Sequence, residues 1–258
     1  MFKDIQAFRD KLKSGRPCLG TGITFSDPAV SEAIGTSADF LWIDLEHNPI
    51  SLESMHSHLI AARAAGVPAL VRVPGSETPM IKRALDSGAT GLIVPQVSSA
   101  AEVRHIVQDC RYKPLGNRGF GPRRPANYGR IGGVEYLEMA NQHLFLAVQI
   151  ENTAAMKELD EIVRVPHLDS LVIGPYDLSL SMGISFHDPE LQTAIKRIIA
   201  AAHAAGLFVG IGMGPGDEAF AVQAIQWGVN WLQVGSDYGY MIHFADQLFA
   251  RIRQKSQK

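Results

Sequence analysis

Short apolar runs alternate with amphipathic segments along the whole chain, and this alternation limits the possible folds more than any other feature of the sequence. We predict eight strands, over residues 19–24, 40–44, 69–73, 91–95, 145–151, 170–174, 207–211 and 231–235. Helix-like segments occupy residues 52–65, 80–87, 99–110, 154–162, 191–205, 218–226 and 240–253. Eight strand–helix units predict a parallel sheet closed into a (β/α)8 barrel, the TIM-barrel architecture. A doubly wound open sheet is disfavoured because no glycine-rich phosphate motif follows the first strand.

The composition permits one large core and gives no general attraction to a charged partner. Apolar residues make up 46% of the 258 residues and charged residues 19%. This length is normal for one barrel, so we predict a single domain over residues 1–258.

The net charge of −2 excludes a strong general pull on nucleic acid or an acidic membrane. Residues 1–13 lack the apolar core of a secretory signal, no apolar run is long enough to span a membrane, and Cys18 and Cys110 show no CxxC spacing. We therefore expect a cytoplasmic protein with no nucleic-acid or membrane partner.

Two local signals interrupt this pattern. Glycine follows four helix-like segments, at Gly66, Gly88, Gly206 and Gly228, where a left-handed residue commonly ends a helix. Residues 112–133 show almost no apolar periodicity and carry several arginines, so we predict a long loop. Loops of this length in a compact domain are often functional, and this one should lie over one mouth of the barrel.

Polar residues stand at the ends of several predicted strands, where (β/α)8 barrels carry their catalytic groups. In the fifth strand, the period of two sends Gln149 and Glu151 into the barrel and the branched apolar residues outward. Asp177 follows the neighbouring strand and can supply a second carboxylate. Two carboxylates with water and substrate oxygens suit octahedral Mg2+ or Mn2+. The alternatives are that Glu151 pairs with Arg72, or that it caps the helix beginning near Asn152.

His47 is the best candidate for a general base, because histidine titrates near neutral pH and a neighbouring acid can orient its ring. The candidate acids are Asp44, Glu46 and Asp86. Taken alone, His47 is more typical of an exposed loop histidine than of a catalytic base. Its position directly after a buried strand, beside two carboxylates, favours the functional interpretation.

Arg72 closes a strongly β-forming run, residues 69–73. A buried guanidinium needs an anion, and its fork matches a carboxylate. That anion is either a substrate carboxylate or Glu151. Gly174 and Pro175 follow the sixth strand and place backbone near the predicted metal, where a small ligand can approach an N–H group.

At these residues the chain resembles the HpcH/HpaI aldolase family, which includes 4-hydroxy-2-oxoheptanedioate and 2-dehydro-3-deoxyglucarate aldolases. The resemblance covers nearly the whole chain, from Gly20 to about Gly235. The motifs that carry it, in order, are FLWIDLEH (residues 40–47), VRVP (71–74), IKRALDSGA (81–89), RGFG (118–121), QIE (149–151) and IGPYDLS (173–179).

The resemblance implies a class II pyruvate aldolase that binds Mg2+, Mn2+ or Co2+ and ionises a 2-oxo acid. By position it implies metal ligands Glu151 and Asp177, a catalytic set of His47, Arg72, Asp44 and Asp86, and substrate contacts at Arg72, Gln149, Gly174, Pro175 and Tyr176. Arg72 would bind the keto oxygen, and His47 would be the base, with Asp86 or Asp44 in its hydrogen-bond chain. The family also forms hexamers, as trimers of dimers, with the last helix exchanged between subunits. The amphipathic segment after Gly235 is compatible with that exchange.

The implied reaction is reversible cleavage of a 4-hydroxy-2-oxo acid into pyruvate, or a related 2-oxo acid, and an aldehyde. Tyr176 stands where many family members have a small residue, and residues 121–129 also depart from the family pattern. We expect both to contact the aldehyde half of the substrate, whose identity stays open. Two alternatives remain. One is an oxaloacetate decarboxylase or enolate-forming synthase, and the other is a non-catalytic protein that binds 2-oxo acids.

Overall fold

The computed structural model describes residues 2–214 and 217–256. Eight parallel strands form a closed barrel in which each strand pairs with the next and β8 pairs with β1. The strands are β1 Cys18–Ile23, β2 Phe40–Asp44, β3 Ala69–Arg72, β4 Gly91–Val94, β5 Phe145–Ile150, β6 Ser170–Ile173, β7 Phe208–Met213 and β8 Trp231–Ser236. The predicted (β/α)8 barrel is confirmed, with every predicted strand at its place in the order.

Helices surround the barrel and close one of its ends. They are α1 Lys3–Lys13, α2 Ala29–Gly35, α3 Leu52–Ala65, α4 Thr78–Ser87, α5 Ala100–Cys110, α6 Gly133–His143, α7 Thr153–Lys157, α8 Leu159–Ile162, α9 Pro175–Met182, α10 Pro189–Ala204, α11 Glu218–Trp227 and α12 Asp237–Ser256. The glycines predicted at helix ends all have positive φ, from 72° at Gly66 to 108° at Gly228. None of the helices in residues 2–214 and 217–256 is long and apolar enough to cross a membrane.

The alternation of side chains along each strand separates two hydrophobic regions. Outward residues such as Leu41 and Ile43 of β2 pack against the helices, while Phe40 and Trp42 point into the barrel. Aromatic rings fill the lower interior: Phe40, Phe145 and Trp231 meet edge to face at centroid distances of 5.3 to 6.1 Å. Phe8 of α1 covers them from the N-terminal end. The barrel is therefore closed below by α1 and opens at its C-terminal mouth.

The long loop predicted over residues 112–133 is present, and it ends where α6 begins. It does not lie over the C-terminal mouth. Arg118 donates to Asp86 on α4 at 2.9 Å, and Arg124 donates to the Leu59 carbonyl at 2.8 Å. Tyr112 packs with the aromatic residues near α1. Buried arginines need acceptors, and these acceptors lie on the outside of α3 and α4, so the loop is held along the barrel wall.

Candidate active site

Arg72 ends β3 between two carboxylates that follow β2. Its Nε donates to Asp44 Oδ1 at 2.8 Å, and its Nη1 lies 3.0 Å from Glu46 Oε2. The Arg72 side chain is only 12% exposed, so solvent screens these charges weakly. Within the described residues Nη2 has no protein acceptor. Asp44 and Glu46 therefore supply the anion predicted for Arg72, and Glu151 does not. The Nη2 group of the guanidinium is left for a ligand.

Glu151 is buried at the end of β5, with 2% of its surface exposed. Its Oε1 accepts from the backbone N–H of Gln96 at 2.7 Å, and its Oε2 accepts from Gln149 Nε2. Burial raises the pKa of Glu151 to about 7; the Gln96 hydrogen bond opposes this rise, and the charges of Glu46 and Asp177 add to it. The charge of Arg72 lowers the pKa of Glu151 only slightly against these effects, and within the described residues Glu151 forms no ion pair with a cationic side chain.

The other alternative for Glu151, a helix cap, is also excluded. Asn152 caps α7 itself, because its side-chain oxygen accepts from the Ala155 N–H at 2.8 Å. The inward position predicted for Gln149 is confirmed, since Leu146, Val148 and Ile150 all pack on the helix side. Gln149 is 4% exposed, and its Oε1 has no hydrogen-bond partner among the described residues.

Asp177 lies in the first turn of α9, next to the end of β5. Burial raises the pKa of Glu151 and of Glu46, and the charge of Asp177 adds to both rises. Gly174 is the first residue after β6, and a Cβ there would lie 2.6 Å from Glu151 Oε2 and 2.9 Å from Gln149 Nε2, so glycine lets the junction between β6 and α9 pass close to Glu151. Pro175 is the first residue of α9 and fixes the direction in which the helix leaves β6.

These side chains fit a divalent cation that keeps open coordination positions. The region described here contains no group of three or more His, Cys, Asp or Glu side chains arranged to enclose a metal ion. Glu151 and Asp177 would supply two oxygen ligands, and Mg2+ and Mn2+ commonly take the rest from water and substrate. Burial is the main cause of the raised pKa of Glu151 and Glu46, and repulsion from neighbouring acids adds to it; a cation would offset both effects.

His47 lies at the rim of the mouth, with its side chain 60% exposed. It lines a cavity of about 340 Å³ together with Arg72, Thr24, Asn48 and Gln233, among others. Its nearest acid is Glu46, with His47 Nε2 3.6 Å from Glu46 Oε2. The cavity therefore brings the predicted base and the predicted oxygen-binding arginine to one space.

The two acids predicted to orient His47 have other partners within one chain. Asp44 accepts from Arg72 and, at 2.6 Å, from Asn48 Nδ2. Asp86 lies on α4, outside the barrel, where its Oδ1 accepts from Arg118. The sequence could not show this, because Arg118 is 32 positions away in a loop without periodicity.

Tyr176 packs against a neighbouring aromatic side chain. The ring stacks on Phe186 at a centroid distance of 4.3 Å, and the residue is 62% exposed. Residues 121–129, the other segment expected to contact the aldehyde, run along the barrel wall as described above. Within one chain neither feature therefore lines the cavity that holds His47 and Arg72.

The sequence did not indicate that the backbone N–H of Gln96 belongs to this site. Gln96 follows β4 and has a φ of 58°, a conformation that costs a non-glycine residue free energy. That conformation accompanies the 2.7 Å hydrogen bond from its N–H to Glu151. A backbone donor leaves no residue-type signal in a sequence, so only the fold could reveal it.

The sequence and the fold are both similar to those of known proteins. The profile of the HpcH/HpaI aldolase/citrate lyase family matches residues 24–244. The 2-keto-3-deoxy-L-rhamnonate aldolase of Escherichia coli (strain K12) is 36% identical over 256 residues, covering 95% of this chain and 92% of the relative. A crystal structure of an HpcH/HpaI aldolase/citrate lyase family protein from Burkholderia cenocepacia J2315 has a TM-score of 0.89 and 31% identity, covering 96% of this chain and 99% of that one. The crystal structure of Citrate Synthase SbnG has a TM-score of 0.85 and 30% identity, covering 97% and 98%. The chain therefore belongs to the HpcH/HpaI aldolase/citrate lyase family, and it is an enzyme, an aldolase or lyase of that family.

Proposed function

We propose that the protein is a divalent-metal-dependent aldolase that reversibly cleaves a 4-hydroxy-2-oxo acid into pyruvate, or a related 2-oxo acid, and an aldehyde. The observation that carries the proposal is the pair of acids Glu151 and Asp177 at the barrel mouth, where Glu151 forms no ion pair with a cationic side chain of the described residues. Glu151 and Asp177 would hold Mg2+, Mn2+ or Co2+. When bound, such an ion supplies Lewis-acid stabilisation of negative charge on substrate oxygens.

Arg72 would bind the keto oxygen of the substrate. Breaking the C3–C4 bond leaves an enolate whose negative charge falls on that oxygen, and a fixed guanidinium stabilises charge there without reorganising. Asp44 and Glu46 hold Nε and Nη1, so Nη2 is the donor left for the substrate. Gln149 Nε2 and the backbone at Gly174 and Pro175 would border the same oxygen atoms.

His47 would remove the proton of the 4-hydroxyl group during cleavage and return it during addition. Its exposure and its place in the same cavity as Arg72 support this role, because the aldehyde must enter from solvent. The neutral polar side chains of Thr24, Asn48 and Gln233 line the cavity around His47. They suit an aldehyde that carries hydroxyl groups, and the name of the relative, 2-keto-3-deoxy-L-rhamnonate aldolase, indicates a hydroxylated 2-oxo acid as its substrate.

A coupled condensation assay tests the proposal. Protein loaded with Mn2+ or Mg2+ is incubated with pyruvate and a panel of hydroxylated and unsubstituted aldehydes, and 2-keto-3-deoxy-L-rhamnonate is supplied in the cleavage direction. We expect adducts with at least one aldehyde and loss of the activity on treatment with EDTA. Absence of any adduct with metal-loaded protein, or activity that EDTA does not reduce, would contradict it.

A synthase or decarboxylase acting on oxaloacetate is the second candidate, and the similarity to Citrate Synthase SbnG favours it. A cation held by the same acids would stabilise, together with Arg72, the enolate formed when carbon dioxide leaves. Release of carbon dioxide that is faster than aldol cleavage and independent of aldehyde would favour this candidate. A protein that only binds 2-oxo acids would instead bind pyruvate with metal and leave its methyl protons unexchanged with solvent.

We also propose that the enzyme is a homo-oligomer, a hexamer built as a trimer of dimers with α12 exchanged between subunits. Only Asp237 and Gly239 of α12 are buried in one chain, whereas Phe244 is 63% exposed and Ile252 54%. Large apolar surfaces of this kind are typical of interfaces. In such an assembly, Asp86 of one subunit would orient His47 of another subunit. We place the enzyme in the cytoplasm, where its two free thiols would stay reduced.

A further inference from the structure

The guanidinium of Arg72 lies on the face of an indole ring inside the barrel. Arg72 Cζ is 5.2 Å from the ring centroid of Trp42. Trp42 is two residues before Asp44 on β2, so both side chains point inward, and Trp42 is 3% exposed. A cation over the face of a desolvated tryptophan is attracted by the ring quadrupole more strongly than at an exposed site.

The two carboxylates alone do not fix the plane of the guanidinium. Nε donates a hydrogen bond to Asp44, whereas Nη1 and Glu46 Oε2 form an ion pair at 3.0 Å in which Oε2 accepts no hydrogen bond from the described residues. A single hydrogen bond leaves the guanidinium free to tilt about it, which would swing Nη2 up or down relative to the mouth. The Trp42 ring lies under Cζ and opposes that tilt. Trp42 therefore restrains a movement that Asp44 and Glu46 leave free.

Trp42 is itself held in place by the aromatic interior. Its ring is tilted against Trp231 at a centroid distance of 5.9 Å. Trp231 is fully buried, and its indole N–H donates to Ser170 Oγ at 3.0 Å. Phe40, Phe145 and α1 enclose Trp231 in turn. The orientation of Arg72 thus rests on a rigid, closely packed layer below it.

We infer that Trp42 is a positioning residue that fixes the plane of the Arg72 guanidinium so that Nη2 faces the keto oxygen of the substrate. The inference rests on the proposed function, which assigns that oxygen to Arg72. Trp42 lies in the barrel interior and acts on the reaction only through Arg72.

Three variants test this role: Trp42→Leu, which removes the π face, Trp42→Phe, which keeps a smaller one, and Trp227→Leu as the control. Trp227 also carries a cation on its ring, Lys196 Nζ at 5.1 Å, but it lies on α11 outside the barrel. The readout is the metal-dependent exchange of pyruvate methyl protons with deuterium, which needs no aldehyde. We expect kcat to fall about tenfold in Trp42→Leu and about threefold or less in Trp42→Phe, with KM for pyruvate changing less than about twofold. Trp227→Leu should leave both constants unchanged.

Equal losses in Trp42→Leu and Trp42→Phe would overturn the inference, since packing volume alone would then explain them. A change confined to KM would make Trp42 a substrate contact instead. Crystal structures of the wild type and Trp42→Leu give a readout that does not depend on activity. An unchanged guanidinium plane in Trp42→Leu would refute the positioning role even if the enzyme turns over pyruvate. The wild type could fail to exchange the pyruvate methyl protons while the Arg72 guanidinium plane still tilts in Trp42→Leu. That result would refute the proposed function but would support the structural role of Trp42.

Discussion

The Glu151 carboxylate is buried near other acids, and a bound cation would offset the free-energy cost of its charge. Its pKa lies at about 7, above the ordinary 4.5, chiefly because the carboxylate is buried. A group whose pKa is raised on folding binds its proton more tightly in the folded chain. The resulting stabilisation is complete below about pH 4.5 and is lost as the pH rises through about 7. Metal-free protein should therefore lose stability as the pH rises through this window, and metal binding, which needs the deprotonated carboxylate, should strengthen in the same window.

Replacing Glu151 with glutamine tests this account. Metal-free Glu151→Gln should be more stable than the metal-free wild type at about pH 8, by about 2 kcal/mol, because no buried charge forms. The rise in melting temperature that Mn2+ gives the wild type should be absent in the variant. Denaturant unfolding and thermal melts between about pH 6 and pH 8 measure both effects. Glu161→Gln is the control, since that side chain is 62% exposed. A variant that Mn2+ still stabilises would show that the ion binds elsewhere.

His47 should matter for one reaction and not for another. Cleavage of a 4-hydroxy-2-oxo acid requires a base for the hydroxyl proton, whereas decarboxylation of oxaloacetate has no such proton to remove. We expect His47→Gln to lower aldol cleavage by about 10²- to 10⁴-fold and oxaloacetate decarboxylation by less than about threefold. Initial rates on the two substrates measure the ratio.

The chain offers a close control for this substitution. His105 is 61% exposed and lies 3.4 Å from Asp109, much as His47 is 60% exposed and lies 3.6 Å from Glu46. His105→Gln should change neither rate. Equal losses on both substrates in His47→Gln would mean that His47 holds the site together and is not the base.

The junction between β6 and α9 decides how closely the two acids approach each other. A Cβ at Gly174 would lie 2.6 Å from Glu151 Oε2 and 3.0 Å from Glu151 Cβ. Gly174→Ala must therefore displace the Glu151 side chain or push apart the end of β5 and the start of α9, which carries Asp177. We expect metal affinity, measured by calorimetry with Mn2+, to fall at least about tenfold, in line with displacement of ligand-supporting groups. Gly132→Ala should have no such effect, because it has a φ of −124° and no atom within 4 Å of its Cβ position. Unchanged affinity in Gly174→Ala would separate Glu151 from the metal site.

The strands were predictable because each one obeys a local rule. In β5, Leu146, Val148 and Ile150 alternate with Ala147 and Gln149, and this period alone fixes which side chains face the barrel. The helices at the ends were less predictable. In α1 only Ile5, Phe8 and Leu12 are buried, and they pack on aromatic rings that follow much later in the chain.

The site was predictable to the extent that strand ends determine it. Arg72, Glu151 and Asp177 meet at one mouth because parallel strands end at one edge of the sheet. The partners of Asp86 and Tyr176 were not predictable. Arg118 and Phe186 reach them from loops, where neither period nor spacing indicates a neighbour. Identifying which acid accompanies His47 likewise required the observed turn after β2.

At the scale of the whole molecule, α12 is the element that one chain leaves without a partner. It is 20 residues long and contacts the barrel mainly near its start, where Asp237 accepts hydrogen bonds from Thr24 and Phe25. Phe244, Leu248 and Ile252 recur every four residues and so share one side of the helix. A helix with an apolar side and no partner gains stability by covering that side with another surface, and a second copy of the chain is the surface that we propose.

Placing two acids on the apolar side of α12 should dissociate the oligomer. We expect Phe244→Asp combined with Ile252→Asp to reduce the mass measured by light scattering, because charges buried at an interface without partners cost several kcal/mol. Ala250→Asp combined with Gln254→Asp adds the same charge on another side of the helix and should leave the mass unchanged. Circular dichroism of both proteins checks that the barrel still folds. A monomeric wild type, or equal masses for the two double variants, would reject an interface through this side of α12. If the small species also loses aldol cleavage while keeping metal binding, the active site draws on a neighbouring subunit, as the separation of Asp86 from His47 within one chain suggests.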